Sequence, residues 1–251
     1  MRISVLSNTL QDVQADALIV NLFEGVQTPA GATGAIDAAL GDGALSKAIA
    51  LGDVRGKHGE VSVLYSNGRL AAPRVLVVGL GKQSEFTPDR ARQAMGIAIR
   101  RAAALGCKTV ATIAHGAGLG GLDARIAAQA TVEGALLGGY EHLEQKTRAE
   151  SRAVGTLLLV EADAGHLAAV RDGAHDGEII ANAQNAARTL INRPPNVLYP
   201  ETFAAHCVSM AKRTGLKITV LTEKEMTTHK MGGILNVNAG SKHPPRFVIL
   251  E

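Results

Sequence analysis

Short apolar, β-branched runs alternate with alanine-rich helical stretches along this chain, and that order confines it to the α/β class. Ile3–Leu6 and Ala17–Asn21 read as short strands, paired with each other. Val61–Tyr65, Val75–Val78, Thr109–Ala114 and Gly155–Val160 have the same character. Between them, Ile36–Leu51 carries Ile36, Leu40, Ala44, Ala48 and Leu51 at helical spacing, and Leu122–Tyr140 is a second Ala-rich helix. Thr87-Pro88-Asp89 is a strong helix start, with a capping hydroxyl, a proline in the first turn and an acid near the positive end of the helix dipole. That helix runs to Gly106, a natural stop. The order predicts a largely parallel or mixed sheet covered by helices on both faces.

A second segment follows the polar stretch Glu141–Arg152 and the strand after it. Glu178–Ile191 reads as a long helix with Ile180, Ala183, Ala187 and Leu190 on one stripe. Glu201–Thr214 is a helix ended by Gly215, Lys217–Leu221 a strand, Glu223–Lys230 a short helix and Arg246–Leu250 a strand. The expected boundaries are 1–172 for the first domain and 173–251 for a linker helix and the opening of another. The chain stops at Glu251 inside a βα pattern, which makes the second domain an incomplete one and favours a fragment over a natural short protein.

Composition removes several classes. A chain of 251 residues, 46% hydrophobic and 20% charged, can bury a globular core. A net charge of +3 is too mild to argue for nucleic acid. No apolar run approaches the roughly 20 residues needed to span a bilayer, and the amino terminus is not a signal peptide. Cys107 and Cys207 make neither a disulfide framework nor a metal-ligand spacing, which points to a reducing cytosolic setting.

Candidate chemistry is sparse. Gly116-Ala-Gly-Leu-Gly-Gly121 fits G-x-G-x-x-G between a strand and a helix, but the acid about 20 residues on falls in the polar stretch, so a tight turn is the default. Gly79-Leu-Gly-Lys82 lacks the first glycine and the Ser or Thr of a phosphate-binding loop. The eight histidines (58, 115, 142, 166, 175, 206, 229 and 243) are dispersed and make no H-E-x-x-H. Both cysteines read as small buried thiols rather than nucleophiles. Arg90, Arg92, Arg100 and Arg101 share one helix, whose simplest reading is a solvated face and whose alternative is a phosphate contact.

Two resemblances carry more. Asp16-Ala-Leu-Ile-Val-Asn21 followed by Gly31-Ala-Thr-Gly-Ala-Ile-Asp-Ala-Ala-Leu-Gly41 resembles the macro domain signature, in which a glycine-rich loop opening a helix cradles a diphosphate. Here Leu-Phe-Glu follows Asn21, and Ser7-Asn-Thr-Leu stands where macro domains supply an adenine-reading Asp. The second resemblance begins at Asn182-Ala-Gln-Asn-Ala-Ala-Arg-Thr-Leu-Ile-Asn-Arg-Pro-Pro-Asn196. It continues through Pro200-Glu-Thr-Phe-Ala-Ala205, Met231–Ser241 and Pro244–Glu251. In that order and spacing these segments are similar to the entry to the catalytic domain of the leucyl aminopeptidases, whose amino-terminal domain is a divergent macro-like fold.

That resemblance implies an α/β chain with a macro-like domain and mixed sheet, then an incomplete aminopeptidase domain. It implies a parent activity, the release of amino-terminal residues (leucine favoured) from peptides by two divalent metals, zinc or manganese. It implies a cytoplasmic homo-oligomer, a hexamer in the family. The family's metal and catalytic motifs, K-G-x-x-F-D-x-G-G and N-T-D-A-E-G-R-L, do not occur in this sequence. No catalytic, cofactor-binding or metal-binding residue is therefore carried over; Lys242 and Asp176 would qualify as ligands only by ignoring motif order. The expectation is a chain inactive by itself and binding no metal, with a macro-like module for a nucleotide or nucleic acid as the alternative from another class.

Overall fold

The computed structural model describes residues 1–147 and 151–251. They fall into two compact units, Met1–Ala186 and Ala187–Glu251. In the first unit the strands are β1 (Arg2–Ser7), β2 (Ala17–Phe23), β3 (Val61–Tyr65), β4 (Arg74–Gly81), β5 (Thr109–Thr112) and β6 (Thr156–Glu161). The helices are α1 (Gly31–Leu40), α2 (Ala44–Ala50), α3 (Pro88–Ala104), α4 (Ala124–Gly138) and α5 (Leu167–Asn192), the last running on into the second unit.

One six-stranded sheet has the order β1-β6-β5-β2-β4-β3, parallel except for the β3–β4 pair. The sheet is mixed and helix-covered, as the alternation predicts. The expected pairing of the first two strands is wrong. β1 lies at an edge against β6, whereas β2 sits between β4 and β5. The physical reason is burial. β2 is apolar on both faces, with Leu18, Ile19 and Val20 fully buried, and only a central position covers both faces. β1 is half-exposed along its length, as an edge strand tolerates.

Strand alternation divides the core in two. Ala17, Ile19 and Phe23 of β2 join Leu76 and Val78 of β4 in packing against Met95 and Ile99 of α3 and Val132 of α4. The alternate residues Leu18, Val20 and Leu22 face Ile36 and Leu40 of α1 and Leu45 and Ile49 of α2. The α3–α4 side is close-packed: a Cβ on Gly138 would stand 2.5 Å from the Gly96 Cα, so only glycine lets these helices approach.

Two further boundaries depart from expectation. The stretch Ile36–Leu51 is two helices, because Gly41, Asp42 and Gly43 take φ values of 73°, 56° and 60°, which no right-handed helix continues. Asp37 Oδ1 then accepts the Leu45 N–H at 2.8 Å and the Ser46 N–H at 3.3 Å, capping α2 from outside. α5 begins at Leu167, eleven residues before the expected Glu178, because its early buried face is Val170, Gly173, Ala174 and Gly177, too small to register as an apolar stripe. The start of α3 is as read, with Thr87 Oγ1 accepting the Arg90 N–H at 3.3 Å.

In the second unit, α6 (Pro200–Thr214), β7 (Ile218–Leu221), α7 (Glu223–Thr228), α8 (Gly232–Asn238) and β8 (Phe247–Leu250) follow in order. β7 and β8 form a two-stranded antiparallel sheet. α8 was not expected from sequence. Tyr199 stacks on His243 at 4.2 Å, and Arg246 donates to the Pro245 carbonyl at 2.8 Å. Val237 is 89% exposed, so this unit carries apolar surface outside its small core.

Candidate functional site

The topology of the first unit marks one crevice. After β2 the chain leaves on the α1–α2 face; after β5 it leaves on the opposite face, to α4. β2 and β5 are parallel neighbours, so their carboxyl ends splay their connections apart and open a gap. Two adjoining hollows of about 400 Å³ each occupy it and share Gly31, Ala32, Ile113, Ala117 and Gly118. The fold thus brings together the two glycine-rich stretches singled out in the sequence, Gly31–Gly34 at the first turn of α1 and Gly116–Gly121 after β5.

Packing shapes both stretches. The Phe86 ring, itself edge-on to Phe23 at 5.1 Å, lies where a Cβ on Gly116 would stand. Gln83 Nε2 donates to the Leu119 carbonyl at 2.6 Å and ties the second stretch to the loop before α3.

Beneath the crevice is a buried polar relay. The His115 ring is fully buried, and burial alone lowers its pKa from 6.5 to about 4, so it is neutral at pH 7. Its backbone N–H donates to Thr131 Oγ1 at 2.9 Å, and that hydroxyl donates to the Ala127 carbonyl at 2.8 Å. Thr112 Oγ1 donates to the Ile19 carbonyl at 2.9 Å, which leaves it an acceptor for the ring Nε2, 3.2 Å away. Nε2 therefore carries the proton, and Nδ1 accepts from Asn21 Nδ2 at 2.8 Å. Thr33 Oγ1 donates to the Asn21 carbonyl at 2.8 Å, joining α1 to the same strand end. This relay was missed from sequence, where His115 read as one of eight dispersed histidines; its only signal was a place between a strand and a glycine-rich loop.

The charge of the crevice is equally informative. Among the described residues, neither hollow has a Lys or Arg in its lining, and the first has the carboxylate Glu161. A diphosphate there would meet helix-start N–H groups and, of the basic side chains, only His166 of the first hollow, which lies 3.6 Å from Asp163.

The other sequence candidates lie elsewhere. Gly79 and Gly81 donate to the carbonyls of Glu60 and Gly56 at 2.8 and 2.9 Å, so that stretch closes strand pairing. Arg90 lies 3.7 Å from Glu85, and Arg92 pairs with Asp89 and with Glu133. Asp176 is paired with Arg125 at 2.7 Å. Cys107 and Cys207 are buried, and burial pushes both thiols up, which suits inert packing. Among the described residues no three His, Cys, Asp or Glu side chains converge as a metal centre would need. These residues do not fit a two-metal site.

Fold and crevice together define an α/β domain with a mainly parallel sheet covered by helices, and comparison with known proteins takes the next step. Residues 19–149 match the model described as the cytosol aminopeptidase family, N-terminal domain. Residues 185–251 match the catalytic domain of the same family. This chain belongs to the cytosol aminopeptidase family.

A probable cytosol aminopeptidase of Alkaliphilus oremlandii is 30% identical over 253 aligned positions, covering 100% of this chain and 50% of that protein. One of Solibacter usitatus is 34% identical and is covered over 48% of its length. The chain thus spans about half the length of the curated relatives it matches. Among solved structures, the bottromycin maturation enzyme BotP, also seen in complex with Mn, superposes with a TM-score of 0.74 at 26% identity, over 94% of this chain and 45% of that one. A mutant of tomato leucine aminopeptidase superposes at 0.84 over 99% of this chain and 50% of that one; at 22% identity it shows the shared fold. No helix among the described residues is long and apolar enough to cross a membrane.

Proposed function

We propose that residues 1–251 are the non-catalytic portion of a leucyl aminopeptidase, a cytoplasmic enzyme that releases amino-terminal residues, leucine favoured, from peptides. In this reading 1–172 is the macro-like domain, and 173–251 is the linker helix and the opening of the catalytic domain. The whole enzyme uses two divalent metals, zinc or manganese, and assembles as a homo-oligomer, the hexamer of its family. When bound, the metals would lower the pKa of a water and supply the nucleophile. No residue of this chain is assigned as their ligand or as a catalytic group.

The observation that carries the reading is the match of 185–251 to the catalytic-domain model, over a stretch that contains neither of the family's metal motifs. The chain by itself is then inactive. Purified protein incubated with leucine p-nitroanilide and manganese or zinc is expected to give no turnover above buffer. Turnover that co-purifies with the chain and is abolished by a chelator would move the metal site into these residues and overturn the assignment.

A further inference from the structure

We propose that the crevice between the carboxyl ends of β2 and β5 is a binding site for a small primary amine carrying an apolar group, received by the Glu161 carboxylate of the first hollow, with Asn21 lining the adjoining one. The argument starts at His115. The relay through Thr112 to the Ile19 carbonyl puts the ring proton on Nε2, so Nδ1 is an acceptor and takes the Asn21 Nδ2 hydrogen. That fixes the Asn21 amide in one orientation and leaves its Oδ1 without a hydrogen-bond partner among the described residues, on a side chain that lines the second hollow. His115 is a positioning residue here.

In the first hollow the Glu161 carboxylate accepts the Asp163 N–H at 2.8 Å through Oε1, and Oε2 has no partner among the described residues. Among the described residues no Lys or Arg stands in either lining, and the one basic side chain of the first hollow, His166, lies 3.6 Å from Asp163. Ile113, shared by both hollows, and Leu10 give the apolar contact. The ordinary rule for open α/β sheets places ligands at this switch point. The charge inventory then selects a cationic donor over the phosphates a glycine-rich helix start would otherwise suggest. The site lies in the first unit, so it does not depend on the peptidase reading.

The test uses the full chain and three probes: leucinamide, 4-methylpentanamide, which differs from it by the missing amine, and ADP-ribose. Chemical shifts of Asn21, Ile113 and Glu161 are followed by NMR. Leucinamide is expected to move all three, 4-methylpentanamide to bind at least about tenfold more weakly, and ADP-ribose not to bind in the low-micromolar range, since one charge-assisted contact is worth about tenfold or more. Glu161→Gln is expected to weaken leucinamide by a similar factor while leaving the spectrum otherwise folded. Ring nitrogen shifts of His115 should report the Nε2–H tautomer. Equal binding of the two amides, an unchanged affinity in Glu161→Gln or an Nδ1–H tautomer would each overturn the proposal. Leucine p-nitroanilide turnover by the same sample bears only on the peptidase assignment.

Discussion

Arg92→Ala should be among the most damaging single changes on the surface of the first unit. Arg92 Nε reaches Glu133 Oε2 across the α3–α4 interface, and its Nη1 holds Asp89 at 2.8 Å. The Arg92 side chain is 31% exposed but that of Glu133 only 5%, so the deletion leaves a buried carboxylate with Gln129 as its remaining side-chain donor among the described residues. Breaking a fully buried pair costs about 3–5 kcal/mol. Partial exposure of the arginine lowers that to about 2–3 kcal/mol, still above the ~1 kcal/mol ceiling of a surface pair.

Urea unfolding followed by far-ultraviolet circular dichroism measures it, since the chain has no Trp to report by fluorescence. With a slope of about 2–3 kcal/mol/M, the midpoint should fall by about 1 M. The double change Arg92→Met with Glu133→Leu removes charge and partner together and should recover most of the loss. A single variant within about 0.5 kcal/mol of the parent, or a double variant as unstable as the single, would refute the account of Glu133 as a paired buried charge.

Two further outcomes are expected. His115 has a folded pKa of about 4 against 6.5 for a free imidazole, so its contribution is fully present above pH 6.5 and is lost as pH falls toward 4, where the unfolded chain alone binds the proton. That is worth about 3 kcal/mol across the window; a His115→Gln chain should lose this part of the acid sensitivity, and an NMR titration placing the ring above pH 6 would contradict it. Gly138→Ala puts a methyl 2.5 Å from the Gly96 Cα and should destabilise by about 1–3 kcal/mol in the same urea assay; an unchanged midpoint would mean the helices separate freely.

What the sequence makes legible follows signal strength. β2 and β4 are visible because fully buried strands need unbroken apolar runs, and α3 because Thr87, Pro88 and Asp89 mark its start. Sheet order is not visible: whether β1 pairs β2 or β6 depends on which strand needs cover on both faces, a competition among all six. The early turns of α5 are hidden because small residues bury little area while still packing closely. The glycine-rich halves of the crevice are both legible, one as a loop opening a helix and the other as a tight turn. Their meeting is a consequence of strand order, and the His115 relay depends on contacts 94 residues apart.

The glycine-rich start of α1 illustrates why a motif and a site are different claims. Backbone N–H groups at a helix start favour an anion by about 0.3–1 kcal/mol at an exposed position. A phosphate site adds cations or further donors to that modest term. Here the crevice offers Asn21, held by a neutral imidazole, and the carboxylate of Glu161, with no Lys or Arg lining it among the described residues. The same backbone geometry therefore sits in an environment of the opposite preference. Introducing a cation would test this directly: Glu161→Lys replaces the opposing carboxylate with a phosphate partner and leaves the glycine-rich turn intact. ADP-ribose binding should then emerge from undetectable to measurable, while leucinamide binding disappears. If ADP-ribose binds the parent chain as well as the variant, the turn alone suffices, and the electrostatic account of this crevice is wrong.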